Sequence, residues 1–111
     1  MAFDDALADR VRPLLKRRAG FSEKKMFGGI GFLLHGNMCV GVWKELLILR
    51  LGPEAGPAAL DQPHVRPFDI TGKPMKGWAM VEPEGVESGA ALERWVDAAV
   101  DFVCELPPKL A

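Results

Sequence analysis

The residues of this chain whose types could do chemistry are two histidines, two cysteines, a group of glutamates, one strand arginine and a lysine-bearing loop. His35 stands in the turn-like triplet His-Gly-Asn and His64 precedes a strand-like segment. With no paired carboxylate or cysteine at ligand spacing, each reads as a surface histidine. Cys39 and Cys104 sit in apolar segments without a second Cys or a His nearby, so both read as small buried free thiols, which fits a reducing compartment. Ser22 and Ser88 lack the G-x-S-x-G context of a nucleophile elbow, and Ser88 is better placed as a helix cap. Glu82, Glu84 and Glu87 read as a solvated loop after a strand. These patterns give no catalytic residue, no cofactor-binding residue and no metal set.

Two stretches are better suited to recognition. Arg50 lies in "LLILRL" on the side of Leu46 and Ile48, where a charge should be paired or reach an open site. Asp69 is one partner for it, and an anion is the other. In "TGKPMKGW", Gly72 and Gly77 permit tight turns, Lys73 and Lys76 offer donors, and Trp78 offers an aromatic face. This segment reads either as a β-connection with solvated lysines or as a surface for a protein or an anionic ligand.

The elements that must position these residues follow from periodicity. Phe3, Ala6, Leu7, Val11, Leu14 and Leu15 recur at helix spacing, with Asp4 and Asp5 at the start and Lys16, Arg17 and Arg18 at the end. Pro13 removes an N–H and crowds Asp9, so a kink or a break into two pieces is expected. Met26 to Leu34, Met38 to Trp43 and Leu46 to Leu51 read as three strands of a meander with a tight turn at Lys44-Glu45. Glu54 to Leu60 reads as a short helix. "VRPFDI" reads as an edge strand because Pro67 has no N–H to donate, and "WAMVEP" as the last strand. Leu92, Trp95, Val96, Ala99, Phe102, Val103 and Leu106 make the apolar stripe of a C-terminal helix that Ser88 caps.

The glycines of "EKKMFGGIGFLLHGNMCVGVW" belong to this sheet rather than to a phosphate loop. They lead into another strand, not a helix, and neither G-x-x-x-x-G-K-[ST] nor G-x-G-x-x-G is complete. Alternation puts Met26, Ile30, Phe32 and Leu34 on one face and Gly29 and Gly31 on the other. A three-residue loop His35-Gly36-Asn37 would pair Leu34 with Met38, Phe32 with Val40 and Ile30 with Val42, setting Gly31 opposite Gly41. The resulting bald strip allows strong strand bending or close approach by another backbone.

The order α-β-β-β-α-β-β-α, with mostly short connections, predicts an α+β domain: two layers, a mainly antiparallel sheet of about five strands, helices on one face. At 111 residues, 49% hydrophobic and 26% charged, a single domain over 1–111 is expected to build a core without staples. A net charge of −1 argues against nucleic-acid binding by the surface as a whole and leaves only a local basic patch. The acidic start of "MAFDDALADRVR" does not read as a signal peptide. No apolar run approaches the ~18 residues of a membrane span. The expectation is a cytoplasmic protein.

"KKMFGGIGFLLHGNMCVGV", "LLILRLGPE", "TGKPMKGWAMVEPEG" and "LERWVDAAVDFVCELPPK", in this order, resemble the TfoX/Sxy N-terminal domain family over nearly the whole chain. The Met-Phe-Gly-Gly and Gly-x-Pro-Met-x-Gly-Trp blocks carry most of the likeness. The resemblance implies an antiparallel sheet with helices on one side and a freestanding single-domain member. It also implies a cytoplasmic regulator of the competence-regulator kind, acting through protein partners and bringing no catalytic residues. The expected function is therefore a non-catalytic interaction module, monomer or homodimer, with no cofactor and no membrane. A basic-patch domain for an anionic ligand or nucleic acid is the alternative, and an enzyme ranks last. The candidate interaction surface is Gly72, Lys73, Lys76, Gly77 and Trp78, with Gly29, Gly31 and Arg50.

Overall fold

The computed structural model describes residues 4–26, 28–68 and 76–107. Helix α1 (Asp5–Lys16) leads into four consecutive strands, β1 (Phe21–Met26), β2 (Gly29–Leu34), β3 (Asn37–Trp43) and β4 (Leu46–Arg50). Helix α2 (Gly52–Ala59), strands β5 (Val65–Pro67) and β6 (Trp78–Val81), a 3-10 turn (Pro83–Val86) and helix α3 (Gly89–Val103) complete the fold. One antiparallel sheet has the order β1-β2-β3-β4-β6-β5. The last strand therefore inserts between β4 and β5, and β5 is left at the edge where Pro67 costs no ladder bond.

The α+β, two-layer reading holds, with six strands in place of about five. The extra strand is β1. Its sequence, "FSEKKM", is mostly polar and exposed, so the apolar signal used to find the other strands is missing. Met26 ends this strand and pairs with Gly29 instead of opening β2 beside Ile30.

Residues opposite one another across all six strands share a face. One row runs Lys25, Ile30, Val42, Leu47, Val81, Val65, and another runs Glu23, Phe32, Val40, Leu49, Ala79, Pro67. Their central members are the core: Phe32, Val40, Val42, Leu47, Leu49, Ala79 and Val81 are fully buried. They share one cluster with Leu7, Val11 and Leu15 of α1 and Leu92, Val96, Ala99, Val100 and Val103 of α3. A second, smaller cluster, Leu46, Ile48, Phe68 and Met80, lies on the opposite face, and among the described residues no helix contributes to it.

The predicted register is right at Ile30–Val42, Gly31–Gly41 and Phe32–Val40 and then departs. A bulge pairs Leu33 with Met38 and Leu34 with Asn37, closing the hairpin with His35-Gly36 instead of three residues. The extra residue is Cys39, and the bulge lets Cys39 and Val40 both enter the core although they are adjacent. His35 adopts a left-handed φ of 52°, and its N–H donates to the Gly20 carbonyl at 2.9 Å.

Helix α1 is one unbroken element through Pro13, not two pieces. The Asp4 carboxylate accepts from the Ala6 and Leu7 N–H groups, while its own N–H donates to the Lys44 carbonyl, tying the helix start to the β3–β4 turn. In α3 the Ser88 hydroxyl accepts from the Ala91 N–H as expected. The buried stripe includes Val100, while Trp95 and Phe102 are only partly buried at its flanks. Cys104 is exposed at the C-cap, correcting the buried reading, because it lies one position past the last inward residue, Val103. No helix of the described residues is long and apolar enough to cross a membrane.

Candidate interaction surface

The best-built part of the predicted surface is the junction where β4 ends and β6 begins. Arg50 pairs in register with Trp78. Its guanidinium carbon lies 5.5 Å from the Trp78 ring centroid and 6.0 Å from that of Phe102, so the cation is held between a sheet aromatic and a helix aromatic. Phe68 packs against Trp78 at 5.4 Å between centroids, inclined by 54°. A charge in an apolar strand is accommodated by delivering it to aromatic faces at the rim. Asp69, the predicted partner of Arg50, lies outside the described residues.

Gly77 is fixed by a backbone contact that the sequence reading did not foresee. Helix α2 presents Gly52 and Gly56, one turn apart, to Gly77. A Cβ on Gly56 would come within 2.6 Å of the Gly77 Cα, and one on Gly77 within 3.0 Å of the Gly52 carbonyl carbon. The Gly77 carbonyl accepts from both the Leu51 and the Gly52 N–H, satisfying donors at the helix start. Gly77, at φ 88°, is thus buried, and its place is set by the backbone of α2. The exposed Lys76 is held beside this anchor. The cue was available as the Gly-x-x-x-Gly spacing in α2. Gly72 and Lys73 lie outside the described residues.

Gly29 and Gly31 are not gathered with these residues. They lie on β2, separated from β6 by β3 and β4. A Cβ on Gly29 would sit 2.3 Å from the Val42 carbonyl oxygen, so that glycine is demanded by the neighbouring strand. The strip is also not bald at Gly41, where the Met38 methyl occupies the space a Cβ would take, 2.8 Å away.

The face opposite the helices has its own cross-strand row, Lys24, Gly31, Gly41, Ile48, Met80, Arg66, with a cation at either end. Lys44 lies over the Trp43 ring at 4.6 Å on the same side. Trp43 and Lys44 went unnoticed as a pair because adjacent residues in a strand normally face opposite ways. The left-handed φ of Lys44, 54°, turns its side chain back.

Other polar groups are engaged in the fold. Arg12 is bonded to Glu23 and Asp9 at 2.7–3.0 Å, and these bonds raise its pKa. Between α1 and the 3-10 turn, a shallow groove contains Arg10, whose guanidinium donates to the Val86 and Glu87 carbonyls at 2.7 and 3.3 Å. Burial pushes the Cys39 thiol up to about 12, which suppresses the nucleophilic thiolate.

This sheet-and-helix frame, with its glycine anchor, defines an α+β domain. The family model for the TfoX N-terminal domain matches residues 13–103, and the chain belongs to that family. No curated protein and no solved structure matches it.

Proposed function

We propose that this TfoX N-terminal domain is a non-catalytic regulatory module that binds a protein partner through the cationic rim of the sheet face opposite α1 and α3. The observation that carries this reading is the arrangement of Arg50 on Trp78 and Phe102, with Lys76 held next to them by the Gly77 anchor. Cations seated on aromatic rings at the rim of a rigid sheet suit carboxylates of a partner. Lys24, Lys44 and Arg66, the last near Glu82, extend the same sign around this face, whereas the exposed charges of α3 are Glu93, Arg94 and Asp101. Such polarity favours an acidic surface and disfavours an incorrect docking direction.

Replacing Lys73 and Lys76 by Glu tests it. A partner recovered by affinity capture from the source cell should bind the double variant about tenfold more weakly, roughly 1.4 kcal/mol. The melting temperature should stay unchanged, since Lys76 is exposed and lysine substitutions away from a packed core change stability little. Unchanged affinity returns the loop to a tight turn with solvated lysines. Salt-sensitive binding to nucleic acid instead of a protein would favour the anionic-ligand alternative.

A further inference from the structure

We infer that His64, Glu82 and Glu84 form a surface site for a divalent cation of the zinc class, which clips the edge strand β5 to the end of β6. One ligand atom from each residue lies within 4.8 Å of the others. Donors around a tetrahedral zinc at 2.0–2.2 Å stand about 3.4 Å apart, so rotation of the exposed Glu84 and the half-buried Glu82 closes the set. The three residues come from separate places: the turn before β5, the residue after β6, and the 3-10 turn.

The backbone already brings them together. The Glu82 N–H donates to the His64 carbonyl at 2.8 Å, extending the β5–β6 ladder by one bond beyond the Val65–Val81 pair. Gly85 leaves room for His64, since a Cβ there would be 3.2 Å from the His64 Cβ. His64 itself holds a left-handed φ of 65°. In the sequence no Glu stands near His64. The β5–β6 pairing supplies two.

The donor set selects the ion. One imidazole and two carboxylates suit zinc and its first-row neighbours, whereas calcium prefers six to eight oxygens. The competing cation is Arg66, 3.9 Å from Glu82 with both side chains about half exposed. A pair that long and wet is weak, and it leaves Glu84 uncompensated. The consequence is mechanical. β5 has three residues, one of them proline, and a metal bridge between residue 64 and residues 82 and 84 would hold its open end. This inference does not depend on the protein-partner reading.

The experiment is calorimetric titration of the chelator-treated protein with zinc chloride, in a Cys104→Ser background that removes the exposed thiol, alongside thermal melts. One zinc per chain should bind, and saturating zinc should raise the melting temperature by several degrees, as any ligand specific to the folded state must. His64→Asn, which tolerates the left-handed φ, and Glu84→Gln should each weaken binding roughly tenfold or more while melting normally without zinc. Glu87→Gln, outside the cluster, should bind as the parent does. No heat at millimolar zinc overturns the site, and so does binding that survives His64→Asn combined with Glu84→Gln. An unchanged melting temperature at saturation overturns the clip.

Discussion

On the helix side of the sheet, Ile30, Val42, Leu47 and Val81 stand in one row at 6% exposure or less, closed over by α1 and α3. One residue along on the same strands, the other side shows Gly31, Gly41, Ile48 and Met80, with Lys24 and Arg66 at the ends. Over the four central strands one row is filled entirely by branched side chains, whereas the other holds two glycines, Ile48 and Met80. The difference reflects what each face must meet. A face that receives two helices must be filled to interior density. A face that receives none can spend positions on backbone approach and on charge. Stability is therefore expected to reside on one side and recognition on the other.

The largest effect should come from the filled side. Phe32 is fully buried and stacks on Phe21 at 6.2 Å between centroids, so Phe32→Ala should cost about 3–5 kcal/mol in denaturant unfolding. A loss below about 1 kcal/mol would erase the contrast between faces. The glycines sharpen it next. Gly29→Ala drives a methyl into the Val42 carbonyl and should cost about 3 kcal/mol. Gly41→Ala meets the movable end of Met38 and, at 3.2 Å, the Ile30 carbonyl oxygen, a milder clash that should cost about 1–2 kcal/mol. Equal costs would show that Gly29 and Gly41 serve one purpose.

The pH dependence tests the dry side a third way. Cys39 has its pKa raised to about 12 by burial, above the roughly 8.5 of an unfolded thiol. Below the unfolded value both states are neutral and nothing is lost. As pH rises through and beyond it, only the unfolded chain ionises, so stability falls, by about 2 kcal/mol at pH 10. Cys39→Ala should lower the starting stability and remove that part of the alkaline slope, as urea unfolding at pH 7 and pH 10 would show. The smallest effect belongs to the charged ends of the opposite row. Lys24→Ala and Arg66→Ala should each change stability by about 0.5 kcal/mol or less. A larger change would place structural weight on the side assigned to recognition.

How much of this could be read from the chain varies by element. Helix α3, the β3–β4 turn and the edge position of β5 were legible, because an apolar stripe, a two-residue loop and Pro67 are local facts. Strand β1 was not, since an edge strand needs no apolar alternation. The bulge at Cys39 was not, since it combines a two-residue turn, with His35 and Gly36 both at positive φ, with the burial of adjacent Cys39 and Val40. Of the candidate surface, Arg50 and Trp78 were found by type and proved to be neighbours. Gly77 was also found but has a different duty, against Gly52 and Gly56.

The sequence by itself determined the fold class, the cap at Ser88, and most of the residues facing the core. Each of these follows from periodicity or from short-range backbone chemistry that operates within a few residues. Only the tertiary structure decided that β6 inserts between β4 and β5. It alone placed Arg50 between Trp78 and Phe102 and set His64 beside Glu82 and Glu84. Those contacts join residues far apart in the chain, and their geometry is fixed by strand order, which is settled by how the whole core packs.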